Sequence, residues 1–168
     1  MAETEDELTT GHAEGVAEPS TQTGTAVELE PIEVDAPRVG IIMGSKSDMD
    51  VMDGAAKVLR EADIRHEVRV MSAHREPELV AEYCRNARIR GLRVIIAGAG
   101  LSAALPGVAA AHTDLPVIGV PLSSRLSAMG GLDAILSVLQ MPPGVPVAGV
   151  GLDNAKNAGA LALRILRA

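Results

Sequence analysis

The feature that most constrains this chain is a short apolar run, Val39-Gly-Ile-Ile-Met43, that stops at Gly44 and passes through Ser45-Lys-Ser-Asp48 into a helical stripe. Arg38 to Met43 reads as a strand buried on both faces, because its apolar residues are nearly continuous instead of alternating. Such a strand needs a neighbour on each side and helices above and below. Gly44 permits a sharp turn, and Ser45, Ser47 and Asp48 place two hydroxyls and a carboxylate at the mouth of the next helix. These groups suit a phosphate or another anion at the carboxyl end of a strand, or, more simply, Ser47 or Asp48 caps the helix.

The same unit recurs down the chain. Val51, Met52, Ala55, Ala56 and Leu59 form one helical stripe, and a second strand over residues 65–70 leads into Met71-Ser-Ala-His-Arg-Glu-Pro77. Pro77 suits a first helical position, and the helix it opens turns Leu79, Val80, Tyr83, Cys84 and Ala87 inward before Gly91 ends it. A third strand, 92–97, breaks into Gly98-Ala-Gly-Leu-Ser-Ala-Ala-Leu-Pro-Gly107, whose small residues let a ligand approach the backbone. A fourth strand over 117–120, a loop to Gly130, a helix over 132–139, a fifth strand over 147–150 and a helix over 154–167 complete the series. Alternating strands and helices predict a three-layer α/β/α sandwich around a parallel sheet. Periodicity leaves Rossmann and flavodoxin-like strand orders open, although the first loop has no Gly-x-Gly-x-x-Gly fingerprint.

Residues 1–37 carry ten acidic side chains and no Lys or Arg, with no sustained period, and read as a disordered acidic tail. Without them the domain over 38–168 carries a net charge of +3, against −7 for the whole chain. An anionic small molecule therefore suits it, whereas nucleic acid does not: there is no basic run, and Tyr83 is the only aromatic residue. Cys84 stands alone, so no intrachain disulfide forms, and four separated histidines make no metal motif. No secretion signal and no apolar segment of about eighteen residues is present, so no membrane is involved and the expected compartment is the cytoplasm. A core of Val, Ile, Leu, Ala and Met, without Phe or Trp, buries little area per residue, which makes subunit association a natural support.

The loops after the first three strands share one sheet edge, so their residues form one pocket. His74 is the candidate proton carrier, because imidazole titrates near neutrality; the alternative is a histidine that braces its loop. Arg75 offers a bidentate fork for phosphate, Asp48 an acceptor for ribose hydroxyls, and Ser45 and Ser47 donors to phosphate oxygens. His66 in the second strand and His112 at the end of an alanine-rich helix read as structural.

Gly44-Ser-Lys-Ser-Asp48, Ser72-Ala-His-Arg75, Ala97-Gly-Ala-Gly100, Leu105-Pro-Gly107 and Gln140-Met-Pro-Pro-Gly-Val-Pro146 together resemble the PurE family of 5-(carboxyamino)imidazole ribonucleotide mutases of purine synthesis. The resemblance runs in order through the whole domain. It implies a flavodoxin-like sheet, a homo-octamer with sites at subunit boundaries, and a ribonucleotide substrate handled without metal, nucleotide or biotin. It places phosphate on Ser45 and Arg75, ribose on Asp48 and proton transfer on His74. Ser47, Ser72, Ala73 and the backbone of Gly98, Ala99 and Gly100 would line the same pocket.

One position departs from the pattern. The family commonly has His immediately before Leu-Pro-Gly, where this chain has Ala104. Alanine cannot hydrogen-bond a substrate carboxylate, so Ser102 or a neighbouring subunit would supply that contact. Three other activities stay open: a direct carboxylase using free carbon dioxide, whose members commonly carry Lys in place of Arg75; a related pyridine-nucleotide carboxylase; and a non-catalytic nucleotide-binding paralogue.

Overall fold

The computed structural model describes residues 36–168, so the expectation for the acidic tail falls, up to residue 35, outside the described residues. Strand β1 (Val39–Met43) is buried at every position, as its unbroken apolar run requires. It is followed by a 3₁₀ turn, Lys46–Asp48, and helix α1 (Met49–Glu61). Then come β2 (His66–Val70), α2 (Pro77–Asn86), β3 (Val94–Gly100), α3 (Leu105–Ala111), β4 (Val117–Leu122), α4 (Leu132–Leu139), β5 (Ala148–Gly149) and α5 (Ala155–Arg167). All strand pairs are parallel in the order β2-β1-β3-β4-β5, the flavodoxin-like order. One core packs the stripes of α1 and α5 on the sheet, and the other packs α2, α3 and α4 on the opposite face. The three layers follow from strands apolar on both sides.

Several boundaries differ from the sequence reading. β3 runs through Gly98, Ala99 and Gly100, which pair with Val120, Pro121 and Leu122 of an equally extended β4. Close approach explains why these glycines stay in the sheet: a Cβ on Gly100 would lie 2.9 Å from the Leu122 carbonyl oxygen. β5 is shorter than expected because it is an edge strand preceded by Pro146, which has no N–H to donate. α2 ends at Asn86, and residues 87–91 form a separate turn closed by Leu92 N–H on Ala87 O and by Gly91 at φ +92°. Leu79, expected inside, is 45% exposed, because Val80, Tyr83 and Cys84 already fill the inward face. His66 and His112 each place Nδ1 2.9 Å from a carbonyl oxygen, of Ile64 and Val108, consistent with bracing roles.

Gly40 fits β1 beneath α2. Its register partner on β2 is Glu67, and Tyr83 lies across both, donating its hydroxyl to Glu67 Oε1 at 2.9 Å. Arg90 donates to both Glu67 oxygens, at 2.6 and 2.7 Å, and stacks 5.1 Å from the Tyr83 ring centre. Burial alone would push the Glu67 carboxyl up, but the bonds from Arg90 and Tyr83 outweigh it and hold the carboxyl below its ordinary range. That support is present above the ordinary glutamate pKa and is lost as pH falls through the depressed value. A Cβ on Gly40 would overlap the Tyr83 hydroxyl. Gly40→Ala is therefore expected to destabilise the domain by about 1–3 kcal/mol in denaturant unfolding. The penalty should shrink in a Tyr83→Phe background, and an equal penalty there would place the clash elsewhere.

Candidate active site

β1 connects to β2 on one side, while β3, β4 and β5 extend on the other, so the chain reverses direction between β1 and β3. In an open parallel sheet that reversal leaves a crevice beyond the carboxyl ends of the strands. A cavity of about 490 Å³ opens there, walled by the segments that follow β1, β2, β3 and β4.

The first wall is Gly44 to Asp48. Ser45 Oγ accepts from Ser47 N at 3.2 Å and from the Ser47 hydroxyl at 2.8 Å, while Asp48 Oδ2 accepts from Ser45 N at 3.0 Å. Ser45 thus caps the 3₁₀ turn, with Asp48 reaching back, whereas Asp48 at the N-cap of α1 makes no side-chain cap and the Ser47 hydroxyl bonds within the turn, so neither expected residue caps the helix; all three side chains line the cavity. Burial pushes the Asp48 carboxyl up, and the bonds from Ser45 and Ser47 and the Arg75 charge offset this only in part. The carboxylate is short of donors, which suits it to the two hydroxyls of a ribose.

The second wall is Ser72 to Arg75. Ser72 is buried, and its Oγ accepts from Arg75 N at 3.4 Å, while Glu76 N donates to Ser72 O at 2.8 Å, closing the turn. The exposed His74 ring has no hydrogen-bond partner among the described residues and lines the cavity, so it is not a bracing histidine. Arg75 Nη2 donates to Gly44 O at 2.7 Å, joining the second wall to the first. The rest of its guanidinium fork remains available for an anion.

The third wall is Ala99 to Leu105. Ser102 and Ala104 both face the cavity, so a hydroxyl lies two residues from the alanine methyl. Leu101 adopts φ +56°, a conformation uncommon for leucine that turns the chain out of β3. Gly98 is the one expected site residue that does not line the cavity: its Cα faces α1, where an added Cβ would collide with the Met52 side chain. All the other expected residues come together: His74, Ser45, Ser47, Asp48, Ser72, Ala73, Arg75, Ala99, Gly100 and Ser102.

The sequence reading missed the fourth wall, Leu122, Ser123, Ser124 and Leu126. The signal was present, since Leu-Ser-Ser-Arg-Leu-Ser follows a parallel strand whose carboxyl end shares an edge with the other three. Leu105 and Leu122, both buried, give the cavity an apolar floor opposite its hydroxyls and charges.

Together these features define a flavodoxin-like α/β protein whose switch-point cavity pairs an arginine and an under-solvated carboxylate with a free imidazole. The chain belongs to the AIR carboxylase family, whose model matches residues 38–168. It is 59% identical over 135 residues to an N5-carboxyaminoimidazole ribonucleotide mutase of Pyrococcus abyssi, covering 80% of this chain and 76% of the relative. A mutase of the same name from Mycobacterium tuberculosis is 59% identical over 134 residues, with the same coverage of each chain. The crystal structure of Treponema denticola PurE superposes with a TM-score of 0.69 at 34% identity, covering 78% of this chain and 80% of that one.

The Asp48 environment yields a pH dependence. A ribose held by Asp48 would favour the charged carboxylate, so its binding would lower the raised Asp48 pKa and release a proton wherever the free group is partly protonated. Ribonucleotide affinity should therefore weaken as pH falls through the free-protein Asp48 pKa, and Asp48→Asn should abolish that acid limb in calorimetric titrations. The same limb in Asp48→Asn would assign it to another group.

Proposed function

We propose that this chain is a 5-(carboxyamino)imidazole ribonucleotide mutase, moving a carboxylate from the exocyclic nitrogen to C4 of the imidazole ribonucleotide in purine synthesis. The observation that carries the reading is the free imidazole of His74 beside Arg75 in a cavity that also holds Asp48. Arg75 and Ser45 receive the phosphate, Asp48 receives the ribose, and Ser47, Ser72, Ala73 and the Ala99–Gly100 backbone shape the pocket.

Protonated His74 gives its proton to the exocyclic nitrogen, and the N–C bond breaks with its electrons returning to nitrogen, releasing carbon dioxide beside the ring. C4 then attacks the carbon dioxide carbon, forming the C–C bond and leaving a proton on C4. Neutral His74 removes that proton, the ring regains aromaticity and the imidazolium is restored. The apolar floor of Leu105 and Leu122 offers carbon dioxide no competing hydrogen bonds, which favours recapture over escape. Ser102, two residues before Ala104 on the same wall, is the local donor for the migrating carboxylate.

The direct assay is conversion of the carboxyamino substrate to its C4 isomer without ATP or added metal. The chain beginning at Arg38 should match full-length turnover, because the acidic composition before it cannot build a core. His74→Asn should stay folded and lose about 100-fold or more in turnover. Near-parent activity in that variant would remove His74 from the mechanism.

The working form is a cytoplasmic homo-octamer with sites at subunit boundaries. No described helix is long and apolar enough to cross a membrane. Leu132, Leu136 and Leu139 of α4 are 37%, 47% and 55% exposed, and Leu126 and Met129 just before them are almost bare. A continuous run of uncovered leucines on a helix of a small-side-chain domain fits contact with further copies. Because Leu126 also lines the cavity, covering this run would bring a neighbour to the cavity mouth. Leu136→Glu should reduce the mass measured by light scattering and raise KM together, whereas an unchanged mass would place the subunit contacts elsewhere.

A further inference from the structure

The start of the fourth cavity wall is tied down by one carboxylate outside the cavity. Asp153, in the turn between β5 and α5, accepts from Ser123 N at 2.8 Å and from Ser123 Oγ at 2.5 Å, and its own N–H donates to Pro121 O at 2.9 Å. These three bonds bridge thirty residues of sequence and hold the exit of β4 on both sides of Leu122. Beyond Ser123 the loop is locked on itself. Ser124 N donates to Ser127 Oγ at 2.9 Å, Leu126 N to Ser124 Oγ at 3.1 Å and Ser127 N to Ser124 O at 3.1 Å. Its far end rests on the same turn, since a Cβ on Gly131 would lie 2.8 Å from the Leu152 side chain. Cutting the carboxylate tie leaves the Asp153 N–H on Pro121 O, the Leu152 contact and the bond from Ala128 N to Asp133 Oδ2 at 3.0 Å, so the stretch released is the one around Ser123, at the cavity. Asp153 holds φ +55°, a conformation that Asp, Asn and Gly tolerate better than other residues.

We propose that Asp153 is a positioning residue for the mutase reaction: acting through Ser123, it sets the distance of the Leu122–Leu126 wall from the His74 and Arg75 wall and so governs how tightly the ribonucleotide is held. The proposal rests on the mutase reading. It assigns Asp153 no contact with substrate, because Asp153 does not line the cavity. The fourth wall carries no proton-transferring side chain, so releasing it loosens substrate binding without removing the acid and base of the chemical step.

The test compares Asp153→Gly, which removes the carboxylate without straining φ +55°, with Asp153→Asn, whose side-chain oxygen can still accept from Ser123 N and whose amide can donate to Ser123 Oγ. Asp153→Gly should raise KM by roughly five- to twentyfold with kcat within about threefold, and Asp153→Asn should stay within about twofold of the parent in both. Hydrogen exchange, measured without substrate, should quicken in Asp153→Gly at the amides of residues 122–127 and stay unchanged in β1 and β2. That readout separates a failed clamp from a failed mutase reading. An unaltered KM in Asp153→Gly, a loss of kcat alone, equal damage in Asp153→Asn, or unchanged exchange at 122–127 would each overturn the proposal. If Asp153→Gly does not fold, Ser123→Ala takes its place. It removes the hydroxyl arm alone and should raise KM about two- to fivefold, and an unaltered KM there would count equally against the proposal.

Discussion

The double burial of β1 is the constraint on which the rest depends. With no polar face, the strand needs hydrogen-bonded neighbours at both edges and apolar helices on both faces. β2 meets one edge and β3 the other, so the chain must run outward from β1 in two directions. The crevice is a consequence of that reversal: connections diverge between β1 and β3, and nothing in the sheet fills the space beyond their carboxyl ends. A binding cavity at this place follows from the folding of the strands, before any side chain in it is considered.

Chemistry enters through the loops that border the crevice, and each solves a separate problem. The Ser45–Asp48 turn uses the amides of Ser45, Ser47 and Asp48 in its own capping, which leaves its hydroxyls and Arg75 as side-chain donors at the cavity. The Arg75 bond to Gly44 O holds the loop that carries the guanidinium and the imidazole against the end of β1, which in the proposed mechanism fixes the phosphate end relative to the proton carrier. Leu105 and Leu122, buried on the remaining walls, give an apolar surface that in the proposed mechanism faces carbon dioxide. The Ser123–Asp153 tie extends the same division of labour to a side chain outside the cavity.

Much of this was legible in the sequence because it rests on local signals. The run Val39–Met43, the glycine after it, Pro77 at the start of α2 and the apolar stripe of α1 each carry their physical reason within a few residues. His74, Arg75 and Asp48 were found because the parallel-sheet rule gathers strand ends to one edge. What escaped depends on distant partners. Gly98 belongs to the α1 contact because Met52 lies beneath it, a fact absent from the Gly-Ala-Gly motif itself. β3 outlasts its last branched residue because β4 continues beside it, and Asp153 gains meaning only beside Ser123.

The central claim is that the carboxylate passes between two atoms of one substrate within this cavity. Incubating substrate labelled with ¹³C in its exocyclic carboxylate, with unlabelled bicarbonate in excess, and following the product by NMR tests that claim most directly. Retention of ¹³C in the C4 carboxylate, with a rate independent of bicarbonate, is the predicted result. Dilution of the label to the level of the bulk pool, with a rate that rises with bicarbonate, would contradict it and identify a carboxylase that draws on free carbon dioxide.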